Sequence, residues 1–566
     1  GYARRDRTHS ASFKNCLGKD GRGSMSGPLI VQSDKTALLE LDHPDATNAR
    51  HDLSIFAELE RAPEHIHTYR ISKLGLWNAR AAGHDSEFVI DVLEKYSKYP
   101  IPPAVTKDIS DLMSRYGKLH IERDEQNRLL LLSDDRAVLA EVGRQKKLKE
   151  LITEPVVGGF VLAEWARGAV KQELLKIGWP AEDLAGYAEG EPMDLELDTK
   201  DWSLREYQKL AVDRFSDLGS GVVVLPCGAG KTLVGAAAMA EIKTNTLILV
   251  TNSVSARQWK HELINRTTLT EEQIAEYSGS TKDLAEVTIA TYQILTTKRG
   301  GQYKHLELLN ARDWGLIVYD EVHLLPAPIF KMTAELQAKR RLGLTATLVR
   351  EDGREGDVFS LIGPKRFDAL WKDIEAEGYI APANCYEVRI PLTDEKRMQY
   401  AIAQQEERFR IASTIDEKIE ITKAILKKHP DEPALIIGQY LEQIEQFSTK
   451  LEIPKLTGET PVDEREQLYK AFREGKIPAL VVSRVANFSV DLPEASVAIQ
   501  ISGSFGSRQE EAQRLGRLMR PKADGRAAHF YTLISRDTVE QDFAQNRQRF
   551  LAEQGYGYQI IDADNI

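Results

Sequence analysis

The feature that most constrains this chain is the run LPCGAGKT, Leu225 to Thr232, set between an apolar stretch, GVVVL, and an alanine-rich stretch, TLVGAAAMAEI. An apolar strand turning tightly into a helix presents backbone N–H groups and the positive end of a helix dipole to an anion. Gly228 and Gly230 remove the side chains that would keep the backbone from closing on a phosphate, and Pro226, Cys227 and Ala229 complete the loop. Lys231 is positioned for the β- and γ-phosphates of a nucleoside triphosphate, and the Thr232 hydroxyl for Mg²⁺. Leu225 stands where the general pattern has its first glycine.

Three further motifs follow in an order that fits a nucleotide-driven motor. LIVYDEVH ends an apolar run in Asp320 and Glu321, one carboxylate for the metal and one to orient the attacking water. LTAT, Leu344 to Thr347, ends another apolar run with hydroxyls at Thr345 and Thr347 that can sense the γ-phosphate. Far along the chain, QRLGRLMRPK holds Arg517 and Arg520 three residues apart on one expected helical face. Facing a bound ATP they would act as arginine fingers. Each motif alone has a plain structural reading, as a strand end or a solvated basic face; the ordered set carries the functional one.

A chain of 566 residues predicts several domains. Residues 1–24 are basic and aperiodic, and read as a flexible tail or an extension upstream of a start at Met25. Residues 25–135 read as a winged-helix-like module, from helical stretches followed by the apolar run RLLLLS. Residues 136–198 form a second small unit ending in the acidic run EGEPMDLELD. From 199 to 375 apolar runs alternate with helical ones (GVVVLP, TLILVT, VTIAT, LIVYD, LGLTAT), and a second such set spans 376–566 (ALIIGQ, ALVVS, VAIQIS, HFYTLIS). The expectation is α/β: two doubly wound parallel sheets, with ATP in the cleft between them. The charged helical stretch 393–428 reads as an inserted projection.

The net charge of −11 argues against indiscriminate coating of nucleic acid and leaves room for a local groove. Thr251 and Asn252, Thr291 and Tyr292, and Thr457 with Gly458 follow short apolar runs and suit contact with a strand's phosphates. Three scattered cysteines, with no CxxC and no Cys/His spacing for zinc, fit a reducing cytoplasm. No apolar run is long enough for a membrane span. The basic run RQKKLKE, 144–150, could meet phosphates or be a solvated face. Trp165 and Trp179 could stack on bases, core packing being the favoured reading.

From Met25 to the C-terminus the sequence resembles the bacterial and archaeal XPB-type superfamily 2 helicases, whose fold pairs two RecA-like domains. LREYQ, Leu204 to Gln208, is similar to the family's adenine-side motif, which implies adenine contact by Gln208 with support from Arg205. RED, Arg350, Glu351 and Asp352, matches a family loop that wedges into duplex DNA. QEEAQRLGRLMRPK is the strongest match and brings Gln513 into the nucleotide site with the two arginines. The stretch 393–428 corresponds to the family's thumb, and IGWPAEDLAGY to its damage-recognition domain. His323 would link nucleotide state to DNA contacts, as would Thr345 and Thr347. The resemblance implies ATP and Mg²⁺ as cofactors and forked or damaged DNA as partner. It further implies 3′→5′ polarity, a role in repair alongside a nuclease, and a cytoplasmic, nucleoid-associated location. Two alternatives remain at this stage: a damaged-DNA-binding or double-strand translocase module that uses ATP to switch its grip, and an RNA helicase.

Overall fold

The computed structural model describes residues 27–62, 65–163, 166–185, 189–217, 219–277, 284–297, 305, 312, 314–324, 340–347, 355–483, 495–504, 511, 514–516, 518–519 and 524–566. The tail 1–24, the RED triplet, Trp165, Gln513 and both expected arginine fingers lie outside them.

Two seven-stranded, all-parallel sheets dominate the chain. The first contains β10 (Ser220–Val224), β11 (Thr246–Val250), β12 (Ile274–Tyr277), β13 (Val287–Thr291), β14 (Leu316–Asp320), β15 (Arg340–Thr345) and β16 (Lys365–Asp368), in the order β12-β13-β11-β14-β15-β10-β16. The second contains β17 (Ala383–Ile390), β18 (Ala434–Gly438), β19 (Lys455–Leu456), β20 (Ala479–Ser483), β21 (Val497–Gln500), β22 (Ala528–Ser535) and β23 (Tyr558–Asp562), ordered β19-β20-β18-β21-β22-β17-β23. Strands such as TLILV and ALIIG are buried along their whole length because helices cover both faces of a parallel sheet.

Two smaller sheets precede the motor. β1 (Leu29–Val31), β2 (Thr36–Glu40), β3 (Glu58–Arg61) and β4 (Ile66–Arg70) form an antiparallel sheet ordered β1-β2-β4-β3. The helices Lys73–Ala81, Ser86–Tyr96 and Pro103–Ser114 pack beside it through Leu76, Val89, Leu93 and Ile109. The hairpin of β5 (Leu119–Arg123) and β6 (Leu129–Leu132) pairs with β7 (Ile152–Val156), β8 (Gly159–Leu162) and β9 (Ala181–Asp183) in one five-stranded sheet. The boundary expected at 135 therefore runs inside a sheet. The hairpin joins later strands rather than forming a wing on the preceding helices, because Leu129 and Leu131 bury against Val138, Val142, Val170 and Leu174.

The projection expected at 393–428 is three helices: Asp394–Ile402, Gln405–Ser413 and Glu417–Lys428. The first exposes Met398 and Ile402. The third belongs to the second motor core: Ile419 and Ile425 join its buried cluster, and Lys418 pairs with Glu540 at 2.8 Å in full burial. Its charge pattern hides this because the ends are solvated while one face is not. The basic run 144–150 exposes Arg144, Lys146, Lys147 and Lys149 and buries Leu148. Trp179 packs beside the five-stranded core with the Arg115 guanidinium 4.7 Å over its ring.

The small units bind the motor through main-chain atoms and one buried charge cluster. Asn78 Oδ1 accepts from Lys365 N, and Arg366 donates to Ala81 O. Glu553 accepts from Leu59 N, and Arg549 donates to Glu60 O, so the N-terminal unit touches both parallel-sheet domains, the first through its helix Lys73–Ala81 and the second through β3. A cavity of about 420 Å³ lies at this three-way junction. Asp183, at the end of β9, pairs with Arg167 at 2.5 Å, Lys171 at 2.7 Å and Arg341 of β15 at 3.6 Å. Burial opposes its charge, but the three cations outweigh that and hold its carboxyl far below the usual range. Asp183→Asn would leave buried cations without a counter-charge. It is expected to destabilise the protein by about 3–5 kcal/mol, measured by denaturant unfolding, whereas substitution at a solvated ion pair such as Lys209–Glu206 should leave the unfolding midpoint nearly unchanged.

Candidate nucleotide site

The motif strands lie side by side. β14, β15 and β10 are consecutive in the first sheet, with Asp320 opposite Leu344 and Val224 opposite Thr345. Strand pairing alone therefore brings the loop after β10, the carboxylates ending β14 and the hydroxyls ending β15 to one edge. An open parallel sheet holds ligands at this edge, beyond the carboxyl ends of its strands.

The loop after β10 closes with left-handed backbone at Gly228 (φ 81°) and Gly230 (φ 79°), and Gly230 caps the helix Lys231–Ile242. A Cβ at Gly230 would stand 2.4 Å from Gln208 Nε2, so glycine is required twice over. Gln208 braces this loop. Its Nε2 donates to Ala229 O at 2.8 Å and its Oε1 accepts from Arg205 N at 2.9 Å. Tyr207 donates to the same carbonyl, and Arg205 lies 4.4 Å over the Tyr379 ring. The adenine contact expected of Gln208 would need one of these bonds to exchange.

Lys231 Nζ lies 3.1 Å from Glu321 Oε1. Burial works against both charges, yet their pairing prevails, holding the ammonium above its ordinary value and the Glu321 carboxyl below its own. Glu321 adopts φ 50°, an uncommon conformation for a residue with a side chain, directly after the strand end. Asp320 differs: burial, then its neighbour Glu321, push its carboxyl up to about 6, opposed by Trp259 Nε1–H, which donates to Oδ2 at 2.9 Å. Tyr292 donates to Asp320 O at 2.6 Å and fixes the strand end from below. Asp320 and the Thr232 hydroxyl are hard oxygen donors of the kind Mg²⁺ takes.

His323 is wholly buried and ties two motifs together. Its Nδ1 lies 2.6 Å from Thr345 Oγ1 and 3.5 Å from Glu321 Oε2. Thr345 Oγ1 donates its single proton to Thr347 O and accepts from Thr347 N. Its bond with His323 must therefore receive a proton, which puts hydrogen on His323 Nδ1. The expected strand contacts share the same edge. Thr251 and Asn252 follow β11, and Asn252 caps the helix Ser253–Arg266. Thr291 ends β13 opposite Val250. On the second domain, the Thr457 hydroxyl accepts from Glu459 N beside exposed Gly458.

The second domain meets the phosphate loop directly. A Cβ on Gly516 would lie 2.6 Å from Cys227 Cβ, so the segment preceding Arg517 crosses the loop in close contact. Glu511 anchors that segment from within. Fully buried, it accepts from Tyr558 at 3.0 Å and Gln500 at 3.2 Å, with Arg547 at 3.5 Å. Arg514 donates to Gln500 in turn. Tyr292, expected beside Thr291 as a strand contact, instead places its hydroxyl on Asp320 O, and Trp259, Glu511, Arg547 and Tyr558 were not found in the sequence. Trp259 reaches Asp320 across 61 residues and Tyr558 reaches Glu511 across 47, so no local spacing marks these pairs.

Three family models match. Residues 374–565 match the ERCC3/RAD25/XPB C-terminal helicase, residues 29–156 the helicase conserved C-terminal domain, and residues 201–350 the type III restriction enzyme, res subunit. The DNA 3′-5′ helicase XPB of Kineococcus radiotolerans is 62% identical over 541 residues, covering 95% of this chain and 97% of that protein. The chain belongs to the XPB helicase family. The DNA 3′-5′ helicase XPB of Mycobacterium tuberculosis is likewise 62% identical, over 95% of this chain and 98% of its own length. A putative DNA 3′-5′ helicase Rad25 of Haloarcula marismortui is 36% identical, over 93% and 83%. Among the described residues no helix is long and apolar enough to cross a membrane.

Glu511→Gln should destabilise the second motor domain by about 3–5 kcal/mol by unpairing buried Arg547, whereas Tyr558→Phe, which removes one donor to the carboxylate, should cost about 1.5–3 kcal/mol. Denaturant unfolding of both variants measures the difference.

Proposed function

We propose that this chain is an ATP-dependent DNA helicase moving 3′→5′. The observation that carries the reading is the strand register that brings the phosphate loop, Asp320–Glu321 and Thr345 to one edge, with Gly516 of the second domain against Cys227. The relatives' names supply DNA and the polarity.

Lys231 neutralises Glu321. Arrival of the β- and γ-phosphates gives Lys231 a stronger partner and releases Glu321 to orient the attacking water. Thr232 and Asp320 hold Mg²⁺, which would neutralise phosphate charge. Arg517 and Arg520, carried by the segment that Glu511 anchors, stabilise charge on the γ-phosphate, and Gln513 lines the same face. Glu321 signals through His323 to Thr345 and Thr347. Thr251, Asn252, Thr291, Thr457 and Gly458 grip strand phosphates without reading bases. Relative motion of the two domains once per ATP then advances the strand. Arg350, Glu351 and Asp352 part the duplex ahead of it, and the helices at 394–413 hold it. A DNA-acting motor of this kind works in the cytoplasm at the nucleoid, and repair would need a nuclease partner for incision.

Hydrolysis and strand separation measured together on forked duplex, 3′- and 5′-tailed duplexes and RNA test this. Fork-stimulated turnover with unwinding of only the 3′-tailed substrate is expected. Stimulation without separation would replace the helicase reading by an ATP-switched grip, and preference for RNA would overturn it. Lys231→Ala should abolish turnover with the fold intact, judged by circular dichroism.

The acid limb of kcat/KM should follow Asp320, whose carboxylate must be ionised to hold the metal. Trp259 N–H stabilises that ionised form, so Trp259→Phe should raise the Asp320 pKa and move the acid limb up by about one pH unit. A pH profile of hydrolysis reads the shift directly.

A further inference from the structure

A second group of ligating side chains lies at the opposite edge of the second motor sheet. His429 follows the helix Glu417–Lys428, Glu432 comes three residues later in the turn before β18, and His529 is the second residue of β22. All three therefore sit at the strand-entry edge, away from the nucleotide cleft. One ligand atom from each can be chosen so that all three lie within 4.8 Å of one another.

The local geometry is organised. His429 Nδ1 is 2.9 Å from Glu432 Oε1, and Nε2 is 2.9 Å from the Tyr531 hydroxyl. The His429 and His529 rings lie 4.6 Å apart, with Tyr386 stacked on both His529 and Tyr531. The backbone bond from Glu432 N to His429 O holds the two side chains on one side of the turn. Glu432 Oε2 is buried and accepts no hydrogen bond. A carboxylate oxygen in that condition lacks a cation or donor. Both ring nitrogens of His429 are engaged, so the ring is held in one orientation with Nδ1 toward Glu432. An oriented imidazole whose far nitrogen is held by a hydroxyl is the usual support of a metal-ligating histidine.

We propose that His429, Glu432 and His529 bind a borderline divalent cation of the zinc class, with solvent as the fourth ligand and Tyr531 orienting His429. Two imidazoles and one carboxylate favour Zn²⁺ over Mg²⁺, which prefers all-oxygen sets. The ion joins the end of one helix, the turn into β18 and the start of β22, and acts as a staple rather than in hydrolysis. Sequence spacing hides the site, because His529 lies far from the other two ligands.

The test uses the full, tag-free chain, stripped with chelator and kept in excess Mg²⁺ without nucleotide. Titration with Co²⁺ should give one equivalent with visible d–d absorption, displaced by Zn²⁺. His529→Asn and Glu432→Gln should each weaken Zn²⁺ binding at least about tenfold and leave basal ATP hydrolysis unchanged. If His529→Asn fails to fold by circular dichroism, Glu432→Gln decides. No saturable binding to the unsubstituted chain, binding unchanged in the folded variants, or a Co²⁺ spectrum with thiolate charge-transfer bands would each overturn the proposal.

Discussion

One largely buried cation organises the nucleotide edge. Lys231 has to stand where phosphates will arrive, and in their absence its charge has to be met by protein. Glu321 meets it at 3.1 Å. That contact accounts for much of the surrounding arrangement. Glu321 reaches Lys231 from a left-handed backbone, which a strand end allows and a strand interior would not. Its second oxygen faces His323, and His323 in turn fixes Thr345. Asp320, left without a cation of its own, depends on Trp259 for its nearest donor. The carboxylates are neighbours in sequence, yet one is held ionised by Lys231 while burial raises the other.

The same logic separates what the sequence displayed from what it concealed. Central strands such as β11, β14, β18 and β20 are continuous apolar runs, and all were legible. β12, β16, β17 and β23 lie toward the sheet margins, mix charged residues into half-buried faces, and escaped notice. The phosphate loop, Asp320, Glu321 and the TAT hydroxyls were legible because a loop between a strand and a helix carries its chemistry locally. Trp259 and Glu511 act across the fold, so no local pattern marks them. Gln208 shows the limit from the other side: its motif was recognised, but its amide is engaged with the loop itself.

The small N-terminal units divide their attachments by type. The five-stranded sheet is fixed to the motor by charge, through Asp183 and Arg341 on the strand that ends in Thr345. The four-stranded unit is fixed by hydrogen bonds on both motor domains at once, through its helix Lys73–Ala81 to the first and through β3 to the second. The helix Val539–Glu553 belongs to both attachments of the second domain. Arg547 supports Glu511 under the cleft, while Arg549 and Glu553 reach the N-terminal sheet.

The N-terminal partners in that seam are mostly main-chain atoms: Leu59 N, Glu60 O and Ala81 O. A peptide group is the same in every residue but proline. At these three bonds the seam asks for a backbone path, and Asn78 Oδ1, which accepts from Lys365 N, is the side-chain exception. Relatives could exchange the Glu60 or Ala81 side chains and keep these bonds, provided Arg549 and Arg366 stay, whereas Leu59 is held by the core it packs in. Selection on these bonds would be visible on one side only, and pairwise covariation across them would be weak even though the two surfaces touch.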